Sequence, residues 1–401
     1  MPIMNKKKIG YSFWGFLGDR KYNKNGQQIS TPDGNAFYSW CILNKLIKDG
    51  NFVIQIMPDR DFYGYVYEGP ELFSSWIKDS RNVAYMSSNK VCYPDNINDM
   101  TENDIYRLWD QKHLNDLDLI LHEWRMEIPN RNDIASKMIL KDSWQPDLFL
   151  QNCLINYCSK NKIKLVIFDL DYKLSEETLK EINKKCFVKV FELGDKWSKT
   201  KFRSISKKVY IPFDFEYIYD FSIKLHPKNN LIYVGNRYER DWCIDKYIPE
   251  DFEKTIVYGN WNENGRDSAI RWPKINFEHR LQTSEMRNVY YDSVATILLA
   301  KKDYCEHHFM TARLIESIFY GTVPFFIEEY GVKTIEEYAS QFANFLTVRN
   351  KEDIKKKIEY LKDYCFARAK IIDSLRRNLS FMDVKYFVNE LYKVLEENND
   401  F

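Results

Sequence analysis

The 401-residue sequence has no run approaching 18 consecutive apolar residues, so no segment is long and apolar enough to span a bilayer as a helix, and no membrane partner is expected. It has no CxxC motif; its eight cysteines (Cys41, Cys92, Cys153, Cys158, Cys186, Cys243, Cys305, Cys365) are scattered, the closest pair being Cys153-x4-Cys158. That spacing argues against a disulfide framework or a structural zinc and fits a reducing cytoplasm, the host's if the source is viral. Neither charge sign dominates: 59 Lys+Arg against 58 Asp+Glu leave a net charge of +1, so a nucleic-acid partner would have to be met by a local patch. Glycine is scarce at 14 residues, and no GxGxxG loop occurs. The opening MPIMNKKKIGYSFWGFLG has a basic head, but its apolar part is short, aromatic and broken by glycine; it reads as a first strand and not as a signal peptide.

What remains is an ordinary soluble composition, 44% apolar and 29% charged, with a high aromatic content of 16% that suits large cores and stacking surfaces. The length suits two domains. Short apolar runs at Lys8–Phe13, Phe52–Met57, Leu117–Leu121, Lys164–Leu170, Val188–Glu192, Leu231–Val234, Thr255–Tyr258, Ala295–Leu299 and Val323–Ile327 read as strands. Helical spacing marks Phe37–Asp49, Glu176–Lys185, Met286–Asp292, Thr311–Tyr320, Lys351–Arg377 and Met382–Leu395. This alternation predicts α/β architecture with parallel sheets. The polar stretch FSIKLHPKNN separates a Rossmann-like domain at 1–222 from a second at 230–381, and the last helix, 382–401, is expected to return to the first. Ligands of such sheets sit beyond the carboxyl ends of the strands, in a cleft.

Two segments carry chemistry. In KKDYCEHHFMTARLIESIFYGTVPFFIEEYG, Tyr304 follows the strand ATILLA, while Arg313 and Glu316 lie three apart on one helix face. A guanidinium there can grip a diphosphate and a carboxylate can accept from ribose hydroxyls; the plainer alternative is a surface ion pair. In LIYVGNRYERD a strand ends at Gly235, and Asn236, Arg237 and Arg240 open the next loop, placed for phosphates or as a solvated charge cluster. Asn260 follows the next strand in VYGNW.

In order, YVGNRYER, VYGNW, NFEHRLQTSEM, ATILLAKKDY and FMTARLIES–VPFFIEEY resemble the nucleotide-sugar-binding domain of the bacteriophage DNA β-glucosyltransferases, enzymes that glucosylate 5-hydroxymethylcytosine in duplex DNA. The resemblance covers about a quarter of the chain. It implies the GT-B fold, two Rossmann-like domains facing a cleft, and inverting transfer from a UDP-sugar, UDP-glucose first. It implies that Arg240, Arg313 and Glu316 hold the diphosphate and ribose, that Asn236 or Arg237 meets phosphate, that Asn260 meets the donor and Tyr304 the diphosphate region, and that the Leu281 backbone faces the uracil. In KLVIFDLDYKL, Asp171 falls where the family carries its catalytic base. A divalent cation, Mg or Mn, would assist without being needed for the fold, and a monomer is expected.

Other readings of FDLD stand beside this one. It echoes the haloacid-dehalogenase nucleophile strand, but Tyr172 and Lys173 replace that motif's Gly-Thr. It also contains an Asp-x-Asp like the metal site of GT-A enzymes, or one aspartate simply caps the turn while the other meets solvent. The loop after the first strand offers Trp14, Gly15 and Gly18 toward the donor or a flipped base. In KWSKTKFRSISKK, Lys199, Lys201, Arg203 and Lys207 could track a DNA backbone or form a solvated face. Adjacent His307 and His308 do not make a metal centre, and LILHEWRMEIPNRND, with Glu123, Arg125 and Glu127, could shape the acceptor side. The rivals to a DNA acceptor are a cell-envelope glycan, a protein or a small molecule on the same fold, or a non-catalytic binding module.

Overall fold

The computed structural model describes residues 6–12, 19–22, 28–31, 34–56, 66–67, 83–85, 117–124, 145–215, 223–261, 268–281 and 283–398. The chain divides into two compact units, Met1–Pro212 with Val384–Phe401, and Phe213–Asp383.

The first unit contains β1 (Lys8–Ser12), β2 (Asp19–Tyr22), β3 (Gln28–Thr31), α1 (Gly34–Lys48), β4 (Phe52–Ile56), β5 (Val66–Tyr67), β6 (Val83–Tyr85), β7 (Leu119–Glu123), α2 (Gln145–Asn161), β8 (Lys164–Asp169), α3 (Glu176–Lys185), β9 (Val188–Glu192) and β10 (Ser206–Lys208). Seven strands form a sheet in the order β10-β9-β8-β7-β1-β4-β6, parallel throughout, and β2, β3 and β5 form a small separate sheet. Strands β7 and β8 are buried along their whole length, as a parallel sheet covered on both faces requires. On one face Leu165, Ile167, Val188 and Val190 pack with Leu154, Cys158, Leu179 and Ile182 from α2 and α3. Ser175 opens α3 by accepting from the Thr178 amide at 3.1 Å.

The second unit runs β11 (Asn229–Val234), α4 (Asp241–Tyr247), β12 (Thr255–Tyr258), α5 (Ser268–Arg271), β13 (Asn276–Glu278), α6 (Thr283–Tyr291), β14 (Ser293–Leu298), α7 (Lys302–Glu306), α8 (Arg313–Phe319), β15 (Val323–Ile327), α9 (Val332–Ala339), α10 (Ala343–Leu346), β16 (Thr347–Val348), α11 (Lys351–Asp363) and α12 (Cys365–Asn378). Its six-stranded sheet, β13-β12-β11-β14-β15-β16, is again all parallel. The strand order reverses between β1 and β7 in the first sheet and between β11 and β14 in the second, so each sheet opens a crevice there at its carboxyl end.

The last helix, α13 (Val384–Glu396), belongs to the first unit. Its Phe387 meets Phe168 and Phe191 edge-on, with ring centroids 5.3 and 5.4 Å away. Buried Lys164, at the start of β8, donates to the carbonyls of Val394, Leu395 and Glu397 at the helix end, and Tyr392 joins Asn51 at 2.7 Å.

One expected element differs. The helix read at Lys351–Arg377 is two helices meeting at Tyr364, whose ψ of 66° is not helical. The buried stripe of Ile354, Ile358 and Leu361 runs on in phase through Arg368, Ile372 and Leu375, so the periodicity passes unbroken over a bend made by one residue.

Candidate functional site

In the second unit the loops after β11 and β12 are tied together by two glycines. Gly235 has φ +156° and Gly259 φ +139°; a Cβ on Gly259 would lie 2.2 Å from the Gly235 carbonyl oxygen, and one on Gly235 would lie 2.5 Å from Arg313 Nη2. With the strand ends this close, the Asn260 amide donates to Asn236 Oδ1 at 3.0 Å and Trp261 Nε1 to the Gly235 carbonyl at 2.8 Å. Asn236 and Asn260, 24 residues apart in sequence, thus share one turn.

The two arginines of this loop do different things. Arg237 is committed to Asp241 through two parallel bonds of 2.7 and 2.6 Å, and its guanidinium lies 5.3 Å from the Trp272 ring centroid. Arg240 is 4% exposed and donates only to carbonyls: Tyr238 at 3.0 Å, Asn236 at 3.3 Å and Leu299 at 3.4 Å. Leu299 follows β14, so Arg240 bridges the two strand ends where the sheet order reverses. Among the described residues no carboxylate pairs with it.

Arg313 opens α8 and makes no hydrogen bond to Glu316 among the described residues. Its Nε donates to the Val234 carbonyl at the end of β11, and its guanidinium lies 5.7 Å from the Tyr233 ring centroid. The i,i+3 surface ion pair therefore does not form. The Glu316 carboxyl takes no hydrogen bond or ion pair among the described residues, and burial pushes it up to about 7 against the pull of Arg313. Nearby, the buried hydroxyls of Tyr233, Tyr290 and Tyr330 have no hydrogen-bond partner among the described residues; the Tyr290 hydroxyl is raised by burial first and by Glu316 second. An unneutralised arginine, an unpaired carboxylate and orphaned hydroxyls are costly to bury, and here they are gathered around Arg313 and Glu316.

Tyr304 is buried in α7 against Phe309, with centroids 4.2 Å apart, and Lys301 Nζ lies 5.6 Å from its ring. Leu281, beyond β13, packs with Ile232, Val234 and Tyr290, which fixes the path of its backbone. His308 meets Thr334 Oγ1 at 2.6 Å and His307 meets Asp303 at 3.4 Å. Sequence reasoning missed Tyr233, Tyr290 and Lys301. Their only signal is position: Tyr233 two residues before Gly235, and Lys301 three residues past the end of the fully buried β14.

In the first unit the two aspartates of FDLD separate. Asp169 is buried, accepts from the Leu174 amide at 3.3 Å and from Trp197 Nε1 at 2.8 Å, and is pushed by burial up to about 6. Asp171 is 35% exposed beyond the carboxyl end of β8, with Lys173 Nζ 3.2 Å away. Of the basic segment, Lys199 pairs with Asp195 at 2.8 Å, Lys201 with Glu176 at 3.9 Å and Lys207 with Glu390 at 3.1 Å; the Arg203 side chain makes no ion pair among the described residues. Trp14, Gly15 and Gly18 lie outside the described residues. Among the described residues no three His, Cys, Asp or Glu side chains are grouped to hold a metal ion, so the expected Mg or Mn has no ready-made ligand set there. No described helix is long and apolar enough to cross a membrane.

No family model matches the sequence, and no curated protein does. Solved structures do match in fold. The T4 phage BGT in complex with UDP and Mn2+ is 14% identical with a TM-score of 0.57, over 97% of this chain and 100% of that one. An alpha-glucosyltransferase in complex with UDP-glucose and DNA containing an abasic site is 12% identical with a TM-score of 0.59, over 98% and 100%. The Anabaena protein HepE in complex with UDP-glucose is 10% identical with a TM-score of 0.55, over 97% and 99%. With two parallel α/β units and a last helix returned to the first, this chain has the GT-B fold.

Proposed function

We propose that the chain is an inverting glycosyltransferase that moves a sugar from a UDP-sugar, UDP-glucose first, to the hydroxymethyl group of a modified pyrimidine in DNA. The observation that carries this reading is the pair Arg240 and Arg313. Both donate to backbone carbonyls at the end of the second sheet, and neither pairs with a carboxylate among the described residues. A diphosphate would supply the missing negative charge, and Glu316 would accept from the ribose hydroxyls.

Asp171 is the proposed general base. It takes the proton of the acceptor hydroxyl as that oxygen bonds to the anomeric carbon; the bond from that carbon to the diphosphate oxygen breaks, and UDP leaves with its charge held by the two arginines. Inversion needs the base on the face of the sugar opposite the leaving group. Bases of this kind contribute about 10²–10⁴-fold. The acceptor base has to be flipped from the duplex, at about a few kcal/mol. Likeness of fold to glucosyltransferases whose structures hold DNA supports this acceptor.

A second reading keeps the donor and changes the acceptor to a glycan, a protein or a small molecule. The neutralised Lys199, Lys201 and Lys207 favour it, since DNA-binding lysines are expected to face phosphate and not carboxylates.

The test is a panel of UDP-sugars against duplexes carrying 5-hydroxymethylcytosine, 5-hydroxymethyluracil or neither, read by the mass of the digested nucleosides. A hexose- or pentose-sized gain on one modified base is expected. UDP release without gain on any DNA would move the acceptor to the second reading; tight UDP-sugar binding without turnover would leave a binding module.

A further inference from the structure

Resting on Asp171 as the base, we propose that Lys196 is a positioning residue that aims Asp171 by clamping the turn that carries it. After Asp169 ends β8, the chain turns through Leu170–Leu174 before Ser175 caps α3. Within that turn Tyr172 holds φ +56°. An aromatic residue in the left-handed region costs about 1–2 kcal/mol, and such conformations persist only where the surroundings over-determine them.

The surroundings do so here. Lys196 Nζ donates to the carbonyls of Tyr172 at 2.8 Å and Leu174 at 2.9 Å. The same ammonium lies 5.6 Å from the Tyr172 ring centroid and 4.9 Å from that of Trp197. Trp197 is fixed in turn: its indole N–H reaches Asp169 Oδ2 at 2.8 Å, and its backbone amide reaches Glu192 Oε2 at 2.7 Å. Asp169 holds the far side of the turn through the Leu174 amide. Every one of these bonds ends on a residue flanking Asp171 or on the clamp itself, while the Asp171 carboxylate stays partly exposed.

Lys196 also differs from its neighbours in the basic segment. Lys199, Lys201 and Lys207 meet carboxylates, whereas Lys196 grips two carbonyls of a strained turn. Its place in the fold is explained by the geometry of Asp171 and not by a polyanion.

The test compares Asp171→Asn, Lys196→Met, Lys196→Arg and the double variant Asp171→Asn/Lys196→Met in the full chain, with UDP-glucose and hydroxymethylated duplex. Lys196→Met should lower kcat by about 10- to 100-fold, since a misaimed group costs that much, with KM for UDP-glucose and UDP affinity unchanged and the unfolding midpoint lowered by the loss of the two carbonyl bonds. On the Asp171→Asn background it should add no loss, and Lys196→Arg should recover most of the rate. Should Lys196→Met fail to fold, Trp197→Phe, which removes one bond of the clamp, is expected to reproduce the pattern at about three- to tenfold. A Lys196→Met kcat within twofold of the parent, or equal losses on both backgrounds, overturns the proposal while leaving Asp171 standing. Normal turnover by Asp171→Asn removes the base and this proposal together.

Discussion

A Cβ at position 259 would stand 2.2 Å from the carbonyl oxygen of Gly235, so the ends of β11 and β12 approach as closely as two bare backbones allow. Gly259→Ala combines that overlap with a positive φ, and it should cost about 2–4 kcal/mol and loosen the turn shared by Asn236 and Asn260. Urea unfolding and UDP titration together check this. An alanine variant as stable as the parent would mean the two turns are not in contact.

Arg240 separates a ligand role from a scaffolding one. Arg240→Met removes a buried charge that has no carboxylate partner, so the lost carbonyl bonds are offset and the unfolding midpoint should move little. UDP affinity should fall by about 10- to 100-fold, the worth of a charged hydrogen bond. Calorimetry that finds unchanged UDP binding with a large stability loss would make Arg240 a pin between β11 and β14 and nothing more.

Glu316 sets a pH dependence with a definite sign. Its carboxyl is raised from 4.5 to about 7 in the folded chain, so between those values the folded state holds a proton that the unfolded chain has lost. Stability from this group therefore falls as pH rises through that window. Glu316→Gln should gain stability relative to the parent across it and be level with the parent at its acid end. With Glu316 in its proposed role of accepting from the ribose, UDP binding should weaken below about pH 7 in the parent more steeply than in the variant. Parallel pH curves for the two proteins would show that Glu316 is ordinary.

Lys164→Met leaves three carbonyls at the end of α13 without their buried donor, a loss of about 1–3 kcal/mol. Amide exchange should quicken in α13 and at the edge of β8 while β11 and β14 stay protected. Uniform quickening in both units would contradict a local clasp.

The architecture was readable because every buried parallel strand is a short apolar run bounded by polar residues; β9, β12 and β15 have the bounds read from the sequence. The spacing of Arg313 and Glu316 was readable as well, but not that Arg313 would choose the Val234 carbonyl over its neighbour, which depends on how close β11 passes to α8. Nor could sequence show Asn236 meeting Asn260, because adjacency of parallel strands is a property of the sheet and not of local spacing. Lys196 looked like one more surface lysine, since its partners are carbonyls, which every residue has. The bend at Tyr364 left no trace because the apolar stripe keeps its phase across it.

The return of α13 to the first unit sets an order in time as well as in space. Phe168 and Phe191 lie in strands made before the second unit, but Phe387, whose ring packs on them, is made only after it. Synthesised from its amino end, the first unit must wait with part of that face of its sheet uncovered while all of Phe213–Asp383 is made, and the second unit can close first. Of the two units, the one begun first is the one completed last.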